Sequence, residues 1–453
     1  MNNNLFDEFN PVSTQQWKQK IQFDLKGANY NDALIWKSNE GINIKPFYNS
    51  DDVIETSNTS NTKASQWKIC QTIFVSNVEK SNTKALEAIN KGTESIKFII
   101  PSENTSIEKL TQNINISTTQ LYFETQFLSE KFIQKIHKQI PNAKTLTDTI
   151  GQLAKTGNWY SSLKNDMLRF EAAIKTSSYF SVNTSLYQNA GANITQQLAY
   201  ALAHANEYLN TLENSGNNLQ SINAIFNISV GTNYFFEIAK LKALRLLWNT
   251  LATQYSANSN CHIIATPTKR NKTLYDYNTN MLRTTTECMS AILGGANTIN
   301  NLPYDSIYHK NNEFGERIAR NQLLVLKHES YFDKVNNPSD GSYYIESLTQ
   351  QLSENALELF KNIENNGGFL NQLKQGTIQR KIKESALKEQ QQFNSGEKVL
   401  LGTNKHPNAN DKMKNELERY PFVKTNPRKT LIEPIIEHRL SEQSEQNRLQ
   451  NEN

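Results

Sequence analysis

Hydrophobic positions along this chain switch between two periods, and the switches are clearest between Ser221 and Ser330. Ile222 to Val230 (INAIFNISV) mixes β-branched and aromatic residues and stops at Gly231 and Thr232, which predicts a strand, a turn and a helix N-cap. From about Asn233, Ile238, Leu241, Leu244, Trp248 and Leu251 recur three and four residues apart, the spacing of one helical face. That register leaves Lys240, Lys242 and Arg245 for the solvent side. The cycle repeats with a strand at Cys261 to Thr266, a turn at Pro267, and a helix near Asn278 that stops at Gly294 and Gly295, where glycine suits a C-cap. A short strand at Ala296 to Asn300 and a helix with Phe314, Ile318 and Val325 on one face complete the stretch.

Earlier in the chain the same alternation predicts strands at Trp67 to Val75, Ser95 to Ile100 and Gln120 to Glu124, with helices at Asn82 to Asn90 and Leu128 to Ile140. Asp148 to Lys175 is helical in pattern and shows no strand. Tyr179 to Leu186 reads as a strand, followed by a helix carrying Ile194, Leu198, Ala201 and Ala205. Strand and helix alternating in this number predict an α/β fold, a (β/α)8 TIM barrel of about 250 residues or more. The expected layout is an arm over residues 1–62, a barrel over 63–410 and a tail over 411–453. Within the arm, Trp17, Ile21 and Leu25 share a helical face that Gly27 interrupts, and the polar tract SNTSNT follows. Aromatics such as Trp17, Phe23, Tyr30, Trp36 and Tyr48 need cover from the chain's own body or from a partner. From Tyr420 the tail reads as a solvated helix that frays.

Composition narrows the classes. A net charge of +4 on 453 residues, with lysines scattered among acids, argues against nucleic acid. No run of eighteen apolar residues exists, so no membrane span is expected. The start MNNNLFDEFN lacks the parts of a signal peptide and the three cysteines lie far apart, so the cytoplasm is the expected compartment. None of the seven histidines has a metal-binding neighbour at the usual spacings, and no phosphate loop, GxGxxG or GxSxG is present. One strand is odd for a barrel: Ser181, Asn183 and Ser185 share a face where bulky branched residues normally pack. Turned inward, they leave room along the axis; turned outward, they meet solvent or a helix layer.

Three long segments carry a resemblance: NYFFEIAKLKALRLLWN (Asn233 to Asn249), NMLRTTTECMSAILGGANTINNLPYD (Asn280 to Asp305) and ERIARNQLLVLKHES (Glu316 to Ser330). Together with EGINIKPFY at Glu40 to Tyr48 and RNKTLYD at Arg270 to Asp276, they resemble the acyl-CoA mutase barrel of the methylmalonyl-CoA mutase family, in its small (β) subunit form. The resemblance implies adenosylcobalamin-dependent interconversion of methylmalonyl-CoA and succinyl-CoA, with the cofactor carrying the radical chemistry. It also implies a CoA channel along the barrel axis, of which Ser181, Asn183, Ser185 and Gln188 would be the vestige.

The family's catalytic positions are degenerate here. Its SGYHMQEAGA corresponds to NTSLYQNAGA, which puts Ser185 at the tyrosine and Leu186 at the histidine. A leucine cannot hydrogen-bond a thioester carbonyl. Its IRQYAGF corresponds to ICQTIFV, which puts Cys70 at the arginine and Thr72 at the tyrosine, and its THSQTSGW has no counterpart around Ala265 to Arg270. No DxHxxG occurs, so a flavodoxin-like cobalamin domain is not expected. The expectation is a non-catalytic subunit that binds no metal or cofactor and pairs as a heterodimer with a large subunit holding adenosylcobalamin. The alternatives are a catalytic chain served by a separate cobalamin-binding subunit, and a regulatory binder of CoA esters; Leu186 and Tyr187 lying across the axis would count against the latter.

Overall fold

The computed structural model describes residues 8–52, 64–424 and 427–452. Its centre is an eight-stranded sheet: β1 (Lys68–Phe74), β2 (Ser95–Ile100), β3 (Gln120–Thr125), β4 (Lys144–Thr145), β5 (Tyr179–Asn183), β6 (Asn223–Val230), β7 (Cys261–Pro267) and β8 (Thr298–Asn300). The order is β4-β3-β2-β1-β8-β7-β6-β5, and every pairing is parallel. A backbone bond from Ser181 N to Thr147 O, 3.1 Å, bridges the remaining seam between β5 and the end of β4. The sheet therefore curls into the (β/α)8 barrel that the alternating periods predict.

Each strand alternates its faces as the pleat requires. In β2, Ile96, Phe98 and Ile100 pack outward with Ala85 and Ala88 of α1 (Val78–Asn90), which leaves Ser95 and Lys97 for the interior. The remaining helices of the outer layer are α2 (Glu130–Gln139), α3 (Leu163–Ser177), α4 (Ile194–Asn214), α5 (Tyr234–Gln254), α6 (Thr279–Leu293) and α7 (Glu313–His328). Caps fix their starts: Asn77 accepts from Lys80 N ahead of α1, and Asn193 and Gln196 form a reciprocal box ahead of α4. The main core lies between β5–β7 and this layer, where Phe180, Phe226 and Trp248 are at most 1% exposed. Burying each such side chain contributes about 1.5–3 kcal/mol.

Three expectations are corrected. Lys240, Lys242 and Arg245 do not face solvent, because α8 (Tyr343–Asn365) packs over α5 beside α4 and leaves it little wet surface. Lys240 Nζ instead donates to Ser229 O (2.7 Å), Lys242 pairs with Asp340 and Glu346, and Arg245 binds the carbonyls of Cys261 and Gly295. Helix α7 buries Ala319, Leu323 and Leu326, whereas Phe314 and Val325 are exposed. Asp148 to Lys175 holds no strand, as expected; β4 lies just before it and has two residues, too few to show a period. Finally, the strand expected to reach Leu186 stops at Asn183, and Ser185–Asn189 forms a helical turn.

The tail is also docked rather than solvated. Leu431 and Ile432 donate to Gly157 O, Ile435 N to Ala154 O, His438 N to Asn189 O and Leu440 N to Arg270 O. Gly157 makes this approach feasible: its φ is +77°, and a Cβ there would lie 2.6 Å from Ile432 O. In the helix Glu442–Gln450, Glu445 is 1% exposed and accepts from Leu274 N. In the arm, the helix Thr14–Asp24 buries none of its residues, and Trp17 stacks on Phe47. Ile42 and Ile44 join the main core, and Tyr48 meets Tyr344. The whole tract SNTSNT, and the first seven residues, lie outside the described residues.

Candidate functional site at the barrel mouth

The C-terminal ends of the strands open into a cavity of about 550 Å³. Thr72, Lys97, Glu124, Asn183, Asn227, Thr266 and Asn300 line it from the strands, and Ser185 from the turn after β5. Tail residues 419–423 and 437–439 form part of its wall. Polar contacts tie these groups to one another: Thr72 Oγ1 donates to Asn300 Oδ1 at 2.8 Å, and Asn300 Nδ2 to Thr266 Oγ1 at 3.3 Å. Lys97 Nζ lies 3.1 Å from Glu124 and holds that carboxyl below the usual carboxylate range, against the effect of burial. Glu124 is therefore anionic at neutral pH and is no general acid. Asn183 is anchored by its own N–H to Asp148 Oδ2 at 2.7 Å.

Below the mouth the axis is filled. Cys70, Tyr122, Leu146, Ile225 and Ile264 pack together across the interior, each at most 6% exposed. Burial pushes the Cys70 thiol up to about 11, so it stays protonated and is a poor nucleophile. Beneath this layer, Tyr122 Oη meets His262 Nε2 (2.9 Å) and Thr298 Oγ1 (2.8 Å), while Lys144 Nζ lies 3.2 Å from His262 Nδ1. Burial, then the cations Lys144, Arg245 and Lys68, hold the His262 imidazole well below its ordinary pKa, so it is neutral. The sequence reading did not single out this polar floor. Its signal was the strand alternation itself, since Tyr122 and His262 fall on the inward positions of QLYFET and CHIIATP.

The expected site residues divide into two groups. Thr72, Asn183 and Ser185 line the mouth, and Ser181 lies deeper, 1% exposed, with its hydroxyl unpaired among the described residues. Ser181 and Asn183 therefore take the inward of the two orientations, and Ser185 reaches the mouth from the helical turn instead of from a strand face. Gln188 is not in the channel: it borders a second cavity and, with its amide oriented to satisfy both ends, bonds Ser229 O and Gly231 N. Leu186 and Tyr187 do not lie across the axis either; both belong to the core outside the barrel, where Tyr187 Oη bonds His204 Nδ1 at 3.0 Å. The helical turn Ser185–Asn189 rotates these side chains away from the line that a continued strand would have given them. The imidazole and phenol at the mouth come from the tail, as His438 and the largely exposed Tyr420. Among the described residues no group of three His, Cys, Asp or Glu could hold a metal ion, and no helix is long and apolar enough to cross a membrane.

Taken together, fold and mouth define a (β/α)8-barrel protein with a polar, charge-paired mouth and a packed axis. The chain belongs to the methylmalonyl-CoA mutase family, whose sequence model matches residues 103–451. It is 35% identical over 440 residues to the methylmalonyl-CoA mutase small subunit of Porphyromonas gingivalis, covering 89% of this chain and 71% of that one. It is 28% identical to a methylmalonyl-CoA mutase of Cereibacter sphaeroides (86% of this chain) and 26% identical to one of Rhizobium meliloti (88%). The chain spans 64% of the length of each of those two relatives.

Proposed function

We propose that this chain is the non-catalytic small subunit of a cytoplasmic methylmalonyl-CoA mutase. It pairs with a large subunit that holds adenosylcobalamin and interconverts methylmalonyl-CoA and succinyl-CoA, an isomerase reaction within propionate metabolism. The observation that carries the reading is the packed interior: Tyr122, Ile225 and Ile264 occupy the axis along which an acyl-CoA chain would have to run. Tail residues 437–439 form part of the wall of the mouth, and no step is assigned to that cofactor on this chain. The pairing surface is the arm, where Phe9, Trp17, Phe23 and Trp36 are each about half exposed or more, the composition of an obligate interface before its partner covers it.

The test is mutase turnover with added adenosylcobalamin, on this chain alone and after mixing with the large subunit, with the complex sized in parallel. Turnover only in the mixture, with a one-to-one complex that weakens on deletion of residues 1–48, is the expected result. Turnover by this chain alone, abolished by His438→Ala, would favour a second reading in which the tail imidazole at the mouth is catalytic.

A further inference from the structure

The floor of the barrel holds an amine that meets no acid among the described residues. Lys144 opens β4, its Nζ 5.7 and 5.8 Å from the ring centroids of Tyr122 and Tyr179 and 3.2 Å from His262 Nδ1. Elsewhere the buried lysines meet carboxylates: Lys240 meets Glu237, Lys242 meets Asp340 and Glu346, Lys272 meets Glu287, and Lys327 meets Glu94. Lys144 forms no ion pair among the described residues, and the neighbour that holds its amine is a neutral imidazole that receives an N–H at Nδ1 and supplies no negative charge. Lys144, Tyr179 and His262 are each part-buried and lie at the N-terminal ends of their strands.

We propose that Lys144 is a modification site: a nucleophilic amine at the barrel floor that accepts an acyl group from an activated donor, either a thioester or an acyl phosphate. The Nζ lone pair attacks the donor's carbonyl carbon, and the C–S bond, or the C–O bond to phosphate, breaks with its electron pair leaving on sulfur or oxygen. The nitrogen loses a proton to solvent and an amide remains. His262 is a positioning residue, fixing the amine against the two rings without raising its basicity. The electrostatics agree with the geometry: burial first, and Lys68 second, bring the Lys144 ammonium down to about 8. At pH 7.4 roughly a fifth of such an amine is free base, against about one part in a thousand for an ordinary lysine. Allowing for its lower intrinsic nucleophilicity and partial burial, the net advantage is on the order of tenfold.

The experiment labels the full chain with limiting acetyl phosphate or, separately, acetyl-CoA, and quantifies acetylation at each lysine by mass spectrometry after Glu-C digestion. Lys144 is expected to react on the order of tenfold faster than the exposed Lys131 and Lys135 with at least one donor, its rate rising through a midpoint near pH 8. The arm that reacts identifies the donor class. Reaction no faster than Lys131 with both donors, or a midpoint above about 10, the ordinary lysine value, would overturn the proposal. His262→Asp places a carboxylate beside the amine, and the midpoint should move up while labelling at pH 7.4 falls severalfold; an unchanged midpoint would refute the role given to His262. Should that variant not fold, the pH profile of the wild-type chain decides alone.

Discussion

Glu287→Gln keeps a side chain's shape and removes one buried charge, which makes it a direct probe of how the barrel's loop after β7 is held. In the native chain the Glu287 carboxylate receives Lys272 Nζ at 2.8 and 3.0 Å and Asn271 Nδ2 at 2.6 Å, while Lys272 also donates to Asn271 Oδ1 at 2.6 Å. Both members of the pair are 1% exposed. Burial pulls the Lys272 ammonium down and pushes the Glu287 carboxyl up, and each partner opposes the shift of the other. Removing one member of such a pair leaves an uncompensated charge, at a cost of about 3–5 kcal/mol. The glutamine oxygen still accepts one hydrogen bond from Lys272, so the lower end, about 3 kcal/mol, applies. With an unfolding entropy of roughly 1 kcal/mol/K for a chain of this size, the melting temperature should fall by about 3 °C.

The sign of the pH dependence follows from the same pair. Without the carboxylate, the folded-state pKa of Lys272 lies below its unfolded value, so the unfolded chain binds the extra proton. The deficit is full below the folded pKa and shrinks as pH rises towards the ordinary lysine range. Urea denaturation and calorimetry measure both effects. Lys272→Met combined with Glu287→Met should recover most of the loss, since no charge is left buried. A single-variant loss below about 1 kcal/mol, or a double variant no better than the single, would refute the reasoning.

Three further outcomes are expected. Ile225→Ala, in the packed axis, should cost about 3 kcal/mol by leaving a cavity, read as a lower urea midpoint; a negligible shift would mean the axis is not close-packed. Gly157→Ala forces a positive φ and a close approach to Ile432 O, so limited proteolysis should cut the tail faster, and unchanged digestion would show that the tail docks by other contacts. Burial, then Glu207, raises the Glu364 carboxyl to about 7, so this group's stabilisation is present below its unfolded value and is lost as pH rises from about 4.5 through 7. Because Glu364 is part-exposed, solvent screening leaves about 1 kcal/mol of effect, and Glu364→Gln should flatten the pH dependence of the melting temperature between pH 5 and 8; an equally steep dependence would count against the shift.

The barrel was legible because a strand at Ser95–Ile100 or a helix at Tyr234–Gln254 writes its period into consecutive residues, whichever neighbours it finally meets. The family was likewise carried by segment matches, whereas local spacing put Ser181 and Asn183 on one face without deciding which way that face turned. Other features were not local. Lys240 and Lys242 are charged residues whose carbonyl and carboxylate partners arrive from β6, from the Asp340 loop and from α8, so no window of sequence shows that they are buried. The direction of Gln188 and Leu186 turned on one helical turn that begins two residues past Asn183, the last paired residue of its strand.

The sequence by itself determined the periods, and with them the kind of most elements and the family. Only the tertiary structure decided what fills the axis and what walls the mouth. Tyr122, Ile225 and Ile264 come from three strands, and the tail docks through backbone groups that carry no side-chain pattern; such contacts exist only once closure of the barrel brings distant segments within a few ångströms.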